Sequence, residues 1–153
     1  MASFDEFITS LERDFGPQGK GIKFEVFCKW FLKNDPQWSR VVDEVWRFEE
    51  YPDKWQTTDL GTDLVFKDKQ GEIWAVQAKC FDEKYSTKKD DMNSFLADSG
   101  REQVSRRLWL QTTNKIESKA LQTSKGQEKP VIFFSLDNFR EAQIDYPESF
   151  DDL

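Results

Sequence analysis

The chain has 153 residues, enough for one domain that buries about two-thirds of the surface its unfolded form exposes. Charged residues make up 33% of it, yet 14 Phe and 6 Trp stand among them, which excludes a disordered chain. Histidine is absent, removing every His-based triad, His metal ligand and His general base, and a net charge of -7 argues against a free-standing, tight nucleic-acid binder.

No apolar run approaches the ~18 residues of a membrane span, and the acidic start MASFDEF is unlike a secretory signal. A cytosolic protein with no membrane partner is expected. Cys28 and Cys80 sit in apolar contexts without a CxxC partner and read as buried free thiols.

Phe4, Phe7, Ile8, Leu11 and Phe15 recur at helical spacing until Gly16-Pro17, so residues 3–14 read as an amphipathic helix. A second helix over 19–34 leaves only Glu25, Lys29 and Lys33 as a polar strip, which implies packing on several sides. Alternation over 41–50 suggests a half-buried strand, and 51–61 reads as a loop. Strands over 62–67 and 72–81 are joined by Asp68-Lys69-Gln70-Gly71, a composition suited to a tight hairpin turn.

A helix over 90–97 precedes a strand over 106–113, and a helix over 115–123 precedes a strand over 131–136. The last strand is almost wholly apolar, as expected of an interior strand covered on both faces. A short helix over 136–142 follows. Residues 1–143 form the expected domain, and 144–153 read as an acidic tail or the start of a linker. The sum is an α/β domain with a mixed five-stranded sheet flanked by helices on both faces.

Polar groups interrupt apolar strands in Asp59-Leu60-Gly61-Thr62-Asp63-Leu64-Val65 and in Trp74-Ala75-Val76-Gln77-Ala78-Lys79-Cys80. Strand alternation projects Gln77 and Lys79 from one face, and hairpin pairing can bring Asp63 beside them. Burying an amide or ammonium without a partner costs about 1–3 kcal/mol or more, so these residues need a partner or a function. The Asp63 carboxylate, the Gln77 side-chain oxygen and the Ala78 carbonyl make a hard oxygen set suited to Mg2+, with Mn2+ able to substitute. Lys79 would orient an attacking water or stabilise charge developing on a phosphate. The bland alternative for Lys79 is an ion pair with Asp63.

The D…QxK set, on two strands preceded by a helix and followed by an α-β-α-β segment, resembles the Mrr-like branch of the PD-(D/E)xK nucleases. Phe24-Glu25, Lys29-Trp30-Phe31-Leu32, Pro36, Val45-Trp46, Ser94-Phe95-Leu96, Arg107-Leu108, Thr112-Thr113, Pro130 and Tyr146-Pro147 extend the likeness to the N-terminal nuclease domain of single-chain Type ISP restriction-modification enzymes. The resemblance implies a restriction-endonuclease-like fold and a bacterial, cytoplasmic, Mg2+-dependent endonuclease that nicks double-stranded DNA. It also implies partner domains: an ATP-driven translocase, a methyltransferase and a target-recognition domain. The alternative reading is a non-catalytic DNA-binding or docking module on a nuclease fold.

Related nucleases place an acidic side chain from the early helix beside the metal, so the resemblance adds Glu25 to Asp63, Gln77 and Lys79 as a catalytic residue. Its alternative is an i,i+4 pair with Lys29 on a solvated strip. Asp59 is equally consistent with an ordinary turn residue. Lys84, Tyr85, Lys88 and Lys89 can contact DNA phosphates or form a solvated loop, and Arg101, Arg106 and Arg107 pose the same choice. The aromatic residues fall on core faces, and no base-reading motif is present.

Overall fold

A computed structural model describes residues 2–55 and 61–153. It begins with helix α1, Phe4–Asn34, whose N-terminus is closed reciprocally. The Ser3 hydroxyl accepts the Glu6 N–H at 3.1 Å, and the Glu6 carboxylate accepts the Ser3 N–H at 3.0 Å. The two helices expected over 3–14 and 19–34 are two arms of this element, meeting at a kink where Gly16 adopts a φ of 73° ahead of Pro17.

The strands are β1 (Val42–Arg47), β2 (Leu64–Asp68), β3 (Ile73–Lys79), β4 (Ser86–Thr87), β5 (Arg106–Gln111), β6 (Lys115–Ile116) and β7 (Val131–Phe134). Five of them form one sheet in the order β1-β2-β3-β5-β7, antiparallel as far as β3 and parallel from β3 to β7. The hairpin between β2 and β3 is set by Asp68, whose Oδ1 accepts the N–H groups of Gln70 and Glu72 at 2.9 Å each. Its Oδ2 accepts the Trp74 indole N–H at 3.0 Å, and Gly71 takes a φ of 87° in the turn.

Alternation sorts the strand side chains onto two faces. Leu64, Phe66, Trp74, Val76, Ala78, Leu108 and Leu110 pack with Phe24, Phe27 and Phe31 of α1 and Phe139 of the short helix α4, Leu136–Glu141. Ala75 and Trp109 turn the other way, toward Met92 and Phe95 of α2 (Lys89–Asp98) and Ala120 of α3 (Ser118–Lys125). Val65 shares that second face but is covered by Phe48 and Tyr51.

Two expectations need correction. Strand β7 is the outer strand, paired with β5 alone, and Ile132 is 43% exposed. Its apolar run is only partly covered on each face, Phe134 packing against Phe31 and Phe139 on one and Val131 and Phe133 against the Trp109 and Ala120 cluster on the other. The strand over 106–113, also expected to be interior, is so as β5, where Leu108, Trp109 and Leu110 are fully buried. The helix expected over 115–123 starts only at Ser118, because Lys115–Ile116 pairs in parallel with β4 as a second, two-stranded sheet.

Residues 144–153 lie against α1. The Tyr146 hydroxyl donates to the Phe139 carbonyl at 2.6 Å, and the Phe150 ring meets Phe15 edge-on with 5.5 Å between centroids. Among the described residues no helix is long and apolar enough to cross a membrane.

Phe27 is fully buried and meets the rings of Phe4, Phe7, Phe24 and Phe31. Phe27→Ala is expected to lower unfolding stability by about 3–5 kcal/mol, read as a reduced midpoint in urea denaturation.

Candidate functional site at the carboxyl end of strand β3

The candidate site forms where β2 begins and β3 ends. Leu64 is the first residue of β2 and sits opposite Val76. Just before it, Asp63 donates its N–H to the Val76 carbonyl at 3.0 Å and accepts the Phe48 N–H on its own carbonyl at 2.9 Å. Its carboxylate Oδ2 accepts the Ala78 N–H at 2.9 Å. Asp63 is therefore bonded to the residues on both sides of Gln77. The N–H and C=O of one strand residue point to the same edge, so the Ala78 carbonyl also faces this edge, past the start of β2. The opposite edge of β3 is occupied by β5, where the Lys79 carbonyl accepts the Thr112 N–H at 3.2 Å.

Gln77 and Lys79 share the face of Ala75, as alternation requires. Gln77 is 6% exposed, and its Oε1 has no hydrogen-bond partner among the described residues. Lys79 is half-buried at the strand end and makes no ion pair among the described residues, so the pairing with Asp63 considered from the sequence is not formed. Three buried side-chain atoms without a partner belong to residues around Asp63: Arg47 Nε, Thr62 Oγ1 and Gln77 Oε1. Arg47 is in register with Leu64, and Thr62 immediately precedes Asp63. Each such atom costs roughly 1–3 kcal/mol, and such costs concentrate where a protein meets a ligand.

Glu25 approaches this end from the α1 face. Its carboxylate lies 3.8 Å from the Arg47 guanidinium, which also holds Glu49 at 2.8 Å. The alternative pair with Lys29 is not the one seen, because Lys29 donates to Glu50 at 2.9 Å. One turn along, burial pushes the Cys28 thiol well up, with Cys80 and then the Asp63 and Glu25 carboxylates adding to the shift. Both carboxylates are thus within electrostatic reach of one buried sulfur. Cys28 is free and fully buried, whereas Cys80 is free but only partly buried, short of the expectation. Arg47 and Thr62 went unnoticed in the sequence. An arginine ending a half-apolar strand was the only signal for the first, and nothing marked the second.

Gly61 adopts a φ of 144°, and a Cβ there would lie 2.6 Å from the Ser94 carbonyl oxygen of α2. The segment carrying Asp63 is therefore pressed directly against that helix. Asp59 lies outside the described residues. Beyond β3, Lys84, Lys88 and Lys89 are exposed, while Tyr85 is held by its hydroxyl, which donates to Asp91 at 2.7 Å. That bond, with burial, pushes the Tyr85 hydroxyl up to about 12. Arg107 is not a surface residue. It is 3% exposed and donates to Ser99, the Leu96 carbonyl and the Lys129 carbonyl at 2.8, 2.9 and 3.0 Å, closing the end of α2. Arg106 pairs with Glu72 at 3.0 Å and Arg101 with Asp98 at 3.4 Å.

Among the described residues no three carboxylates or thiols gather into a metal-holding group. The donors available at Asp63 are of another kind: a carboxylate, the partnerless amide oxygen of Gln77 and the strand-edge carbonyl of Ala78. This all-oxygen set fits a hard divalent cation such as Mg2+.

The sheet order, the helices on both faces and the polar cluster where β2 and β3 meet define a restriction-endonuclease-like fold. The chain belongs to the Mrr_cat_2 restriction endonuclease family, whose model matches residues 33–152. No curated protein sequence matches it. Among solved structures it is similar to the ATP-dependent Type ISP restriction-modification enzyme LlaBIII bound to DNA, with 27% identity over 95% of this chain and a TM-score of 0.70. The DNA modification-dependent restriction endonuclease AspBHI (12% identity, 91% of this chain, TM-score 0.53) shares the fold. So does the MspJI restriction endonuclease in complex with a 27-mer oligonucleotide (14% identity, 92% of this chain, TM-score 0.57). The chain spans 9% of the LlaBIII chain, 36% of AspBHI and 33% of MspJI.

Gln77→Met keeps the side chain's length while removing the partnerless oxygen. It is expected to raise unfolding stability by about 1 kcal/mol, measured by urea denaturation, where a hydrogen-bonded structural glutamine would instead lose stability.

Proposed function

We propose that this domain is a Mg2+-dependent DNA endonuclease whose reaction centre is Asp63, Gln77 and Lys79, with Glu25 as a fourth member. The observation that carries the reading is the partnerless, buried Gln77 Oε1 beside an Asp63 carboxylate already fixed by the Ala78 N–H. Asp63, Gln77 and the Ala78 carbonyl would hold the cation, and Mn2+ would substitute. When bound, such a cation acidifies a water and polarises the scissile phosphodiester.

The remaining work falls to side chains of this chain. Lys79 shares a strand face with Gln77 and is half-exposed, so its ammonium can meet a phosphate arriving from solvent and stabilise the charge that develops on it. It can equally orient the water that attacks. Glu25, kept near the strand ends by Arg47, adds negative charge toward the cation. Lys84, Tyr85, Lys88 and Lys89 follow β3 directly and would contact the backbone of double-stranded DNA. One reaction centre cuts one strand, so the product of a single encounter is a nick.

The likeness to the Type ISP enzyme supports a cleavage domain that acts in the bacterial cytoplasm with an ATP-driven translocase, a methyltransferase and a target-recognition domain. Those partners would choose the sequence and deliver the DNA, which suits a domain of net charge -7.

Supercoiled plasmid is the test substrate, incubated with the chain at high concentration in Mg2+, Mn2+ or EDTA. Metal-dependent conversion to the open circle is expected for the wild type, with Asp63→Ala and Lys79→Ala slowed at least a hundredfold. Equal nicking by wild type and both variants would overturn the catalytic reading and leave a docking module.

A further inference from the structure

We propose that the two-stranded sheet β4–β6 assembles a DNA-backbone-binding surface in which Lys115 and Lys119 act with Lys84, Lys88 and Lys89. This rests on the nuclease reading and extends it to residues far apart in sequence. Ser86 pairs with Lys115 and Thr87 with Ile116, and the Glu117 N–H donates to the Thr87 carbonyl at 2.9 Å. The pairing joins the entry to α2, which carries Lys88 and Lys89, to the entry to α3, which carries Lys119. Helices α2 and α3 follow the carboxyl ends of β3 and β5, and Lys79 and Gln111 are in register at those ends. The lysines therefore lie at the end of the sheet that holds Lys79, where open α/β sheets present their ligand sites.

All five lysines are exposed, and none makes an ion pair among the described residues. The neighbouring acids are largely engaged. Asp91 accepts the Tyr85 hydroxyl and the Lys88 N–H, Asp82 accepts the Lys84 N–H, and Glu83 pairs with Arg140 at 3.1 Å. Asp82, Glu83, Asp90 and Glu117 are exposed and stand as counter-charges among the lysines. The surface is also rigid where it matters. The Thr113 hydroxyl lies 2.6 Å from the Tyr85 carbonyl and 3.1 Å from that of Glu83, and the Thr87 hydroxyl donates to the buried Gln111 at 2.7 Å. Exposed ammonium groups on a fixed frame suit a polyanion that passes Lys79, and the phosphodiester backbone of the strand being cut is that polyanion.

Binding is read without cleavage by placing the variants in an Asp63→Ala background and titrating a fluorescent mixed-sequence duplex at several salt concentrations. The Lys115→Ala/Lys119→Ala double variant is expected to bind roughly tenfold more weakly at low salt, with the log-log salt slope reduced by about 2. Lys125→Ala, in the last turn of α3, should leave both unchanged. Unaltered affinity and slope in the double variant, with its thermal melt retained, would overturn the surface, as would absence of duplex binding by the Asp63→Ala parent. Failure of the wild type to nick plasmid would overturn the nuclease reading instead.

Discussion

The Asp63 carboxylate accepts the Ala78 N–H at the point where β2 has no further backbone to offer β3. A buried strand must satisfy each of its polar groups, and beyond Val76 the edge facing β2 would otherwise leave Ala78 without an acceptor. A side chain takes over the duty of a strand. The substitution fixes a carboxylate inside the sheet's end, next to Gln77, without the freedom a loop carboxylate would have. Two further constraints hold it: the Phe48 N–H bonded to the Asp63 carbonyl, and Gly61, whose missing Cβ lets the segment lie directly on α2.

That arrangement costs stability locally. Gln77 Oε1, Thr62 Oγ1 and Arg47 Nε are buried without partners among the described residues, at roughly 1–3 kcal/mol each. The core on the α1 face supplies the compensation through Phe24, Phe27, Phe31 and Phe139, each worth about 1.5–3 kcal/mol when fully buried. The same α1 that carries these rings also carries Glu25 toward the strand ends, so the helix that stabilises the sheet also carries a group toward the site. The ring contacts and the Arg47–Glu25 approach are two sides of one helix placement.

Much of this was legible because strand alternation is a rigid rule. Gln77 and Lys79 fall on one face and Trp74, Val76 and Ala78 on the other, as the spacing requires, and the turn chemistry of Asp68 and Gly71 fixed the hairpin beside Asp63. The errors have physical causes. A run of four apolar residues at 131–134 carries no signal that separates an interior strand from an outer one partly covered on each face. Strands of two residues show no periodicity, so β4 and β6 were invisible and nothing in the sequence set Lys115 and Lys119 beside Lys84, Lys88 and Lys89. Arg107 was misplaced although the rule was available: alternation sets it with Trp109 and Gln111 on the covered face of β5, where its guanidinium finds carbonyls rather than solvent.

The net charge bears on how such a domain would meet DNA. Salt screens the field of a total of -7 within about 10 Å at 0.1 M, whereas a phosphate in contact responds to the charges next to it. Here both signs stand close together. Lys84, Lys88 and Lys89 follow the carboxyl end of β3 with Asp82, Glu83 and Asp90 exposed among them, and Arg140 joins Glu83 to Asp5 of α1. On the nuclease reading proposed above, so mixed a surface would bind DNA weakly by random encounter and favour a strand delivered to it. Acidity would then work as a restraint, keeping a domain that carries a fixed carboxylate and a half-exposed lysine from engaging DNA that nothing has brought to it.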